Sequence, residues 1–128
     1  MDPGPGANDP ACADVTVRLP AQLDGQPRRW TDAQATGAWG DPAVVLLTCG
    51  VTPPGPTTLP CRTVGAVDWI IDDSSAPDYR VTSFGRTPAV ELYLDNEEVS
   101  SADVLDRISI LVSQLPSDGS SCTGRTDG

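Results

Sequence analysis

Residues 88–116, "PAVELYLDNEEVSSADVLDRISILVSQLP", change their apolar spacing part-way along, and that change sets the class of fold. In the first seven residues Val90, Leu92 and Leu94 alternate with Glu91 and Tyr93, the two-residue period of a strand with one dry face. Beyond "DNEE" the period becomes helical, and Val104, Leu105, Ile108, Leu111, Val112 and Leu115 fall on a single stripe. Ser100 stands where an N-cap is needed, and Asp103 falls in the first turn, where the helix dipole favours an anion. Val99 and Val104 have the spacing of a hydrophobic staple, and Pro116 ends the helix. A one-sided strand followed by an amphipathic helix predicts an α+β domain with the helix lying across a sheet.

Working outward from there, "AVVLLTC" (43–49) reads as a buried strand, and "AVDWIID" (66–72) and "YRVTSFG" (79–85) as further strands with turn-formers between them. "PRRWTD" (27–32) reads as an edge strand. "ACADVTVRLPAQL" (11–23) carries both helical and alternating spacing, and we read a short helix ending before Pro20. The expectation is a mainly antiparallel sheet of four to five strands, covered on one face by the C-terminal helix and by this short N-terminal one. At 128 residues the chain fits one domain, placed at 11–122. Residues 1–10 and 123–128 lack apolar periodicity and are expected to be disordered.

The four cysteines decide the compartment. Cys12, Cys49, Cys61 and Cys122 are far apart, the chain has no histidine, and neither the close pairs of a zinc site nor the C-x-x-C of a redox pair is present. Disulfides remain, and they suit a small domain with 38% hydrophobic residues and 25 Gly and Pro. Three pairings are possible. We favour Cys49–Cys61, closing the Pro-rich "CGVTPPGPTTLPC", with Cys12–Cys122 tying the ends of the domain together. Either way the chain is expected to work outside the reducing cytoplasm, with an export signal removed ahead of residue 1.

The formal charge is −10 and every basic residue is arginine, so the surface repels both nucleic acid and anionic lipid. Its apolar runs fall well short of the roughly 20 residues that span a bilayer. Membrane association is therefore expected only through an anchor outside this sequence. With no histidine or lysine, catalytic triads, Cys-His pairs, Schiff bases and P-loop chemistry are excluded. No cofactor is implied. Carboxylates alone remain for catalysis, among them Asp68, Asp72, Asp73, Glu91 and Asp95, whose plainer reading is a solvated sheet face. "DDSSAPD" and "DNEE" are acidic enough to consider calcium, but they lack the glycine and glutamate of an EF-hand loop.

Candidate binding residues come from three places. Trp39, followed by Gly40 in a turn, is expected at the surface or rim, whereas Trp69 shares a strand face with Val67 and Ile71 and belongs to the core. Arg86 sits in the turn between two strands, where its planar donor fork would meet a carboxylate, Glu91 or Asp68 within the fold or one on a partner. Pro53, Pro54 and Pro56 stiffen the loop between Cys49 and Cys61, which would lose little entropy on docking to another protein.

"LPAQLDGQPRR" (19–29), "AWGDPAVVLLTCGV" (38–51), "GAVDWI" (65–70) and "FGRTPAVELYL" (84–94), together with the early Cys12, resemble a family of small exported or lipid-anchored actinobacterial proteins of uncharacterised function. The resemblance covers most of residues 11–122. It implies a signal peptide or lipobox upstream and supplies no catalytic residues, while the lysine-free composition fits a GC-rich genome. The β-branched Val15-Thr16-Val17 run stands where that family would have a helix. The expected function is a non-enzymatic module of the cell envelope, secreted or held on the outer face of the cytoplasmic membrane, that binds an unknown envelope protein or small ligand. A small carboxylate-dependent hydrolase of cell-wall glycan and a structural accessory subunit of a membrane-bound assembly are the alternatives.

Overall fold

The computed structural model describes residues 3–55, 58–119 and 122. Helix α1 (Pro10–Thr16) leads into a hairpin of β1 (Gln22–Leu23) and β2 (Gln26–Arg29), followed by β3 (Thr36–Trp39) and β4 (Val45–Val51). Then come β5 (Cys61–Val64), β6 (Val67–Ser75), β7 (Asp78–Phe84), β8 (Ala89–Asp95) and helix α2 (Ser101–Val112). All pairings are antiparallel, in the order β1-β2-β3-β4-β8-β7-β6-β5. The α+β class stands. The sheet, however, has eight strands rather than four or five, because the short β1, β3 and β5 add to the expected ones.

Register explains which side is dry. Val45, Leu47 and Cys49 of β4 face Leu94, Leu92 and Val90 of β8, and Val81 of β7 lies beside Leu92. All seven are buried. Val104, Leu105, Ile108, Val112 and Leu115 of α2 and its flank close over this face, with Cys12, Val15 and Leu19 from the α1 side. A 12-residue helix is about 18 Å long, whereas a flat eight-strand sheet would be about 34 Å wide. Yet α2 touches both β1 and β5, so the sheet curls around it.

The polar groups inside are answered locally. Trp69 Nε1 donates to Ser109 Oγ at 2.8 Å across the helix–sheet interface. Ser83 Oγ accepts from Val90 N at 2.9 Å, and Thr36 Oγ1 donates to Ala33 O at 2.6 Å. No buried side-chain nitrogen or oxygen among the described residues lacks a partner, which is what a thin core requires. Ser100 caps α2 by accepting from Asp103 N, and Ser100 N donates in turn to Asp24 Oδ2 in the β1–β2 turn.

Both disulfides form, but with exchanged partners: Cys12–Cys49 and Cys61–Cys122, each with Cα atoms 5.7 Å apart. The expected Cys49–Cys61 and Cys12–Cys122 bonds fail on topology. Cys49 lies on β4 and Cys61 on β5, four strand spacings away, or about 19 Å along the sheet, far beyond a disulfide's reach. The Pro-rich segment is therefore a crossover from one side of the sheet to the other, not a loop closed at its neck. Cys12 instead reaches β4 because α1 lies against it.

The N-terminal segment also departs from expectation. Within residues 3–9, placed in the disordered region by composition, Ala7 is buried and Gly6 N donates to Gly50 O at 2.7 Å. Gly50 (φ 96°) makes this approach possible, since a Cβ there would lie 2.5 Å from the Gly6 carbonyl carbon. The short helix α1 itself forms and ends at Thr16, before Pro20, as expected. The 123–128 tail lies outside the described residues.

Candidate functional site

The residues singled out by sequence do not form one site. Trp39 is wholly buried: pairing with Val45 turns its indole to the dry face, where Nε1 donates to Pro20 O at 3.0 Å. The expectation of a rim position is therefore overturned, since Gly40 ends a strand whose last residue still points inward. Trp69 is buried as its alternation implied. Pro53 is exposed and Pro54 half-buried on the β4–β5 crossover, and Pro56 lies outside the described residues.

Arg86 meets no carboxylate among the described residues. Its Nη1 donates to Ser113 O (3.1 Å) and Leu115 O (2.8 Å), and its Nη2 to Ala66 O (2.9 Å). The first of these carbonyls is that of the C-cap of α2 and the second lies in the turn just beyond it, and α2 has no basic residue in its own last turn. Arg86 supplies that cation from the β7–β8 turn and thus locks the helix end onto the sheet. The backbone pair Arg86–Ser117 continues the same junction.

The carboxylates are dispersed as well. Asp68 Oδ1 accepts from Thr63 Oγ1, and its Oδ2 from Cys122 N at 2.7 Å, so this carboxylate holds the C-terminal strap against the outer face. Glu91 lies 4.0 Å from Arg80, which also stacks 5.6 Å over the Tyr93 ring. Asp68 and Glu91 are two strands and two residues apart by register, about 12 Å between backbones, and each already has its own partner. Hydrogen bonds from the Ser74 side chain and backbone hold the Asp72 carboxyl below its ordinary pKa, with a smaller contribution from Arg80. A general acid requires the opposite shift. Among the described residues no group of acids or cysteines is arranged to hold a metal ion.

What the structure brings together instead is the end of β2. Trp30 follows directly on Arg29, and its side chain is 86% exposed, unlike Trp39 and Trp69. It lines two adjoining hollows. The larger, about 570 Å³, is bounded by Leu19, Ala21, Arg28, Arg29 and Thr31. The smaller, about 320 Å³, is bounded by Arg29, Thr31, Asp32, Ala38 and Leu46. Register separates the two arginines: Arg28, opposite Trp39 on the dry face's margin, lines the larger hollow alone, whereas Arg29, opposite Ala38 on the outer face, lines both. Thr31 fixes the base of the segment through its hydroxyl, which donates toward Thr36 O at 3.3 Å and lies 2.9 Å from Thr36 Oγ1. Arg29 pairs loosely with Asp41 at 3.7 Å. Arg28 and Asp32 have no side-chain partner among the described residues.

Sequence reasoning placed Trp30 in an edge strand and gave it no role. The available signal was "PRRWTD" itself, an aromatic beside two cations with no apolar alternation around it, which is poor material for a core strand.

Residues 2–119 match a family described as a protein of unknown function, DUF3515. The chain belongs to that family. No curated protein and no solved structure matches it. The DUF3515 match takes in Cys12, Cys49, Cys61 and the Trp30 edge, and it stops before Cys122. With two disulfides and no free thiol, the DUF3515 domain is built for an oxidising environment. No helix of the described residues is long and apolar enough to cross a membrane.

Proposed function

We propose that this chain is a non-enzymatic binding module of the cell envelope, secreted or held on the outer face of the cytoplasmic membrane, and that its contact surface is the Trp30 edge. The observation carrying this reading is the exposed Trp30 indole beside Arg28, a cation without a carboxylate among the described residues of a chain with a formal charge of −10. Binding hot spots are enriched in tryptophan and arginine, which bring a large planar contact area and, for arginine, a fixed fork of donors. The two disulfides support the compartment. The resemblance to exported actinobacterial proteins points the same way.

A photo-crosslinking residue at position 30, compared with one at the exposed Asp73 on the far side of the sheet, tests the surface. Expressed in a host that exports the protein, position 30 should yield a discrete adduct that Arg28→Glu diminishes, and position 73 should yield none. Equal labelling at the two positions would end the proposal. The compartment is checked by alkylating the exported material before reduction: no thiol should react, and four free thiols would remove the envelope assignment.

A further inference from the structure

We infer that the Trp30 edge takes a glycan chain carrying carboxylate groups, with the indole stacked on a pyranose ring and Arg28 gripping a carboxylate. The inference rests on the reading of this edge as the contact surface and names what it contacts. A pyranose has an apolar C–H face and a rim of hydroxyls, each of which donates and accepts. The negative face of an indole attracts polarised C–H groups, and Trp30 is free to offer it. Both hollows beside it fall in the range of about 300–1,000 Å³ found for ligand sites.

The lining discriminates among ligands. In the smaller hollow Arg29 is a donor and the unpartnered Asp32 carboxylate an acceptor, the combination that ring hydroxyls need. An acidic peptide would meet that carboxylate as a like charge. In the larger hollow Leu19 and Ala21 give apolar floor, and Arg28 presents a donor fork that matches a carboxylate. Nucleic acid, which also stacks on aromatics, brings a charge at every nucleotide against a protein of formal charge −10. A glycan with one carboxylate per disaccharide satisfies the indole, the free arginine and the free aspartate together.

Trp39 and Trp69 are buried, so a fluorescence change on ligand addition reports Trp30. The probes are a tetrasaccharide of alternating N-acetylglucosamine and N-acetylmuramic acid, its neutral counterpart chitotetraose, and a hexaglutamate peptide. The carboxylated tetrasaccharide should give a saturable change, and chitotetraose about tenfold weaker binding. Arg28→Ala should bring the two sugars to equal affinity, and Trp30→Ala, followed by calorimetry, should weaken the carboxylated sugar about tenfold to a hundredfold. No saturable response to the carboxylated sugar at millimolar concentration, or stronger binding of hexaglutamate, would overturn the inference. If that happens while the position-30 crosslink persists, the contact surface stands and its ligand class is wrong. If the crosslink is lost too, both readings fall.

Discussion

The two lateral margins of the sheet are treated in opposite ways. At the β5 side, Cys61–Cys122 fastens the C-terminal strap, Asp68 receives both Thr63 and Cys122, and nearby Arg86 pins the end of α2. Thr63, Asp68 and Arg86 there each face another group of the same chain. At the β2 side no staple crosses the edge, and Trp30, Arg28 and Asp32 are presented without partners among the described residues. A chain whose buried polar atoms are otherwise satisfied leaves these side chains facing outward, and that contrast separates structure-keeping residues from candidate contact residues.

The comparison would break first at the sulfurs. Chain entropy assigns about 4 kcal/mol to each bond, for separations of 37 and 61 residues, against a typical whole-domain stability of about 5–15 kcal/mol. Cys12 and Cys49 are in addition wholly buried beneath α1, while Cys61 and Cys122 are part-exposed. Replacing Cys12 and Cys49 by alanine should therefore lower stability more than replacing Cys61 and Cys122, as read from urea midpoints. The reverse order would mean that the strap, not the interior, organises the fold.

A smaller loss is expected from Gly50→Ala. The substitution puts a side chain at φ 96° and drives it into the Gly6 backbone, so about 1–3 kcal/mol should be lost, together with protection from proteolysis ahead of α1. Arg86→Met should cost a comparable amount, about 1.5–3 kcal/mol, since it keeps the aliphatic stem but leaves the Ser113 and Leu115 carbonyls without their charged donor. Hydrogen exchange should then rise selectively in the last turn of α2. Uniform change across the helix would show that Arg86 does not act as its clamp.

How far the sequence reveals this division depends on the length over which each feature is encoded. The helix α2, its Ser100 cap, the strands β4, β6, β7 and β8 and the burial of Trp69 all follow from spacing within a dozen residues, and all appear. Strand β2 appears where "PRRWTD" predicts one, whereas β1, β3 and β5 hold only two to four residues each, too short for a period to register. The disulfide pairing needs the strand order, which separates Cys49 from Cys61 although they are near in sequence. Trp39 needs the Trp39–Val45 register, and Arg86 needs to know that the end of α2, 27 to 29 residues further on, returns beside it. Of the candidate site, the Arg-Arg-Trp run was visible, but its exposure depends on the hairpin ending at Arg29.

The smallest stability effect belongs to the residue with the largest proposed consequence for binding. Trp30→Ala removes a side chain that is already 86% exposed, so little apolar surface is returned to water and no buried polar group is orphaned. The change in unfolding free energy should stay within about 0.5 kcal/mol, and the near-ultraviolet circular dichroism of the buried Trp39 and Trp69 should be retained. A loss of 2 kcal/mol or more, on the order of a core truncation, would mean that the indole packs against the domain in solution. It would then serve the fold, and the unclamped margin would be a structural edge like its opposite. With stability preserved, any loss of sugar binding in the variant is assigned to the contact surface itself.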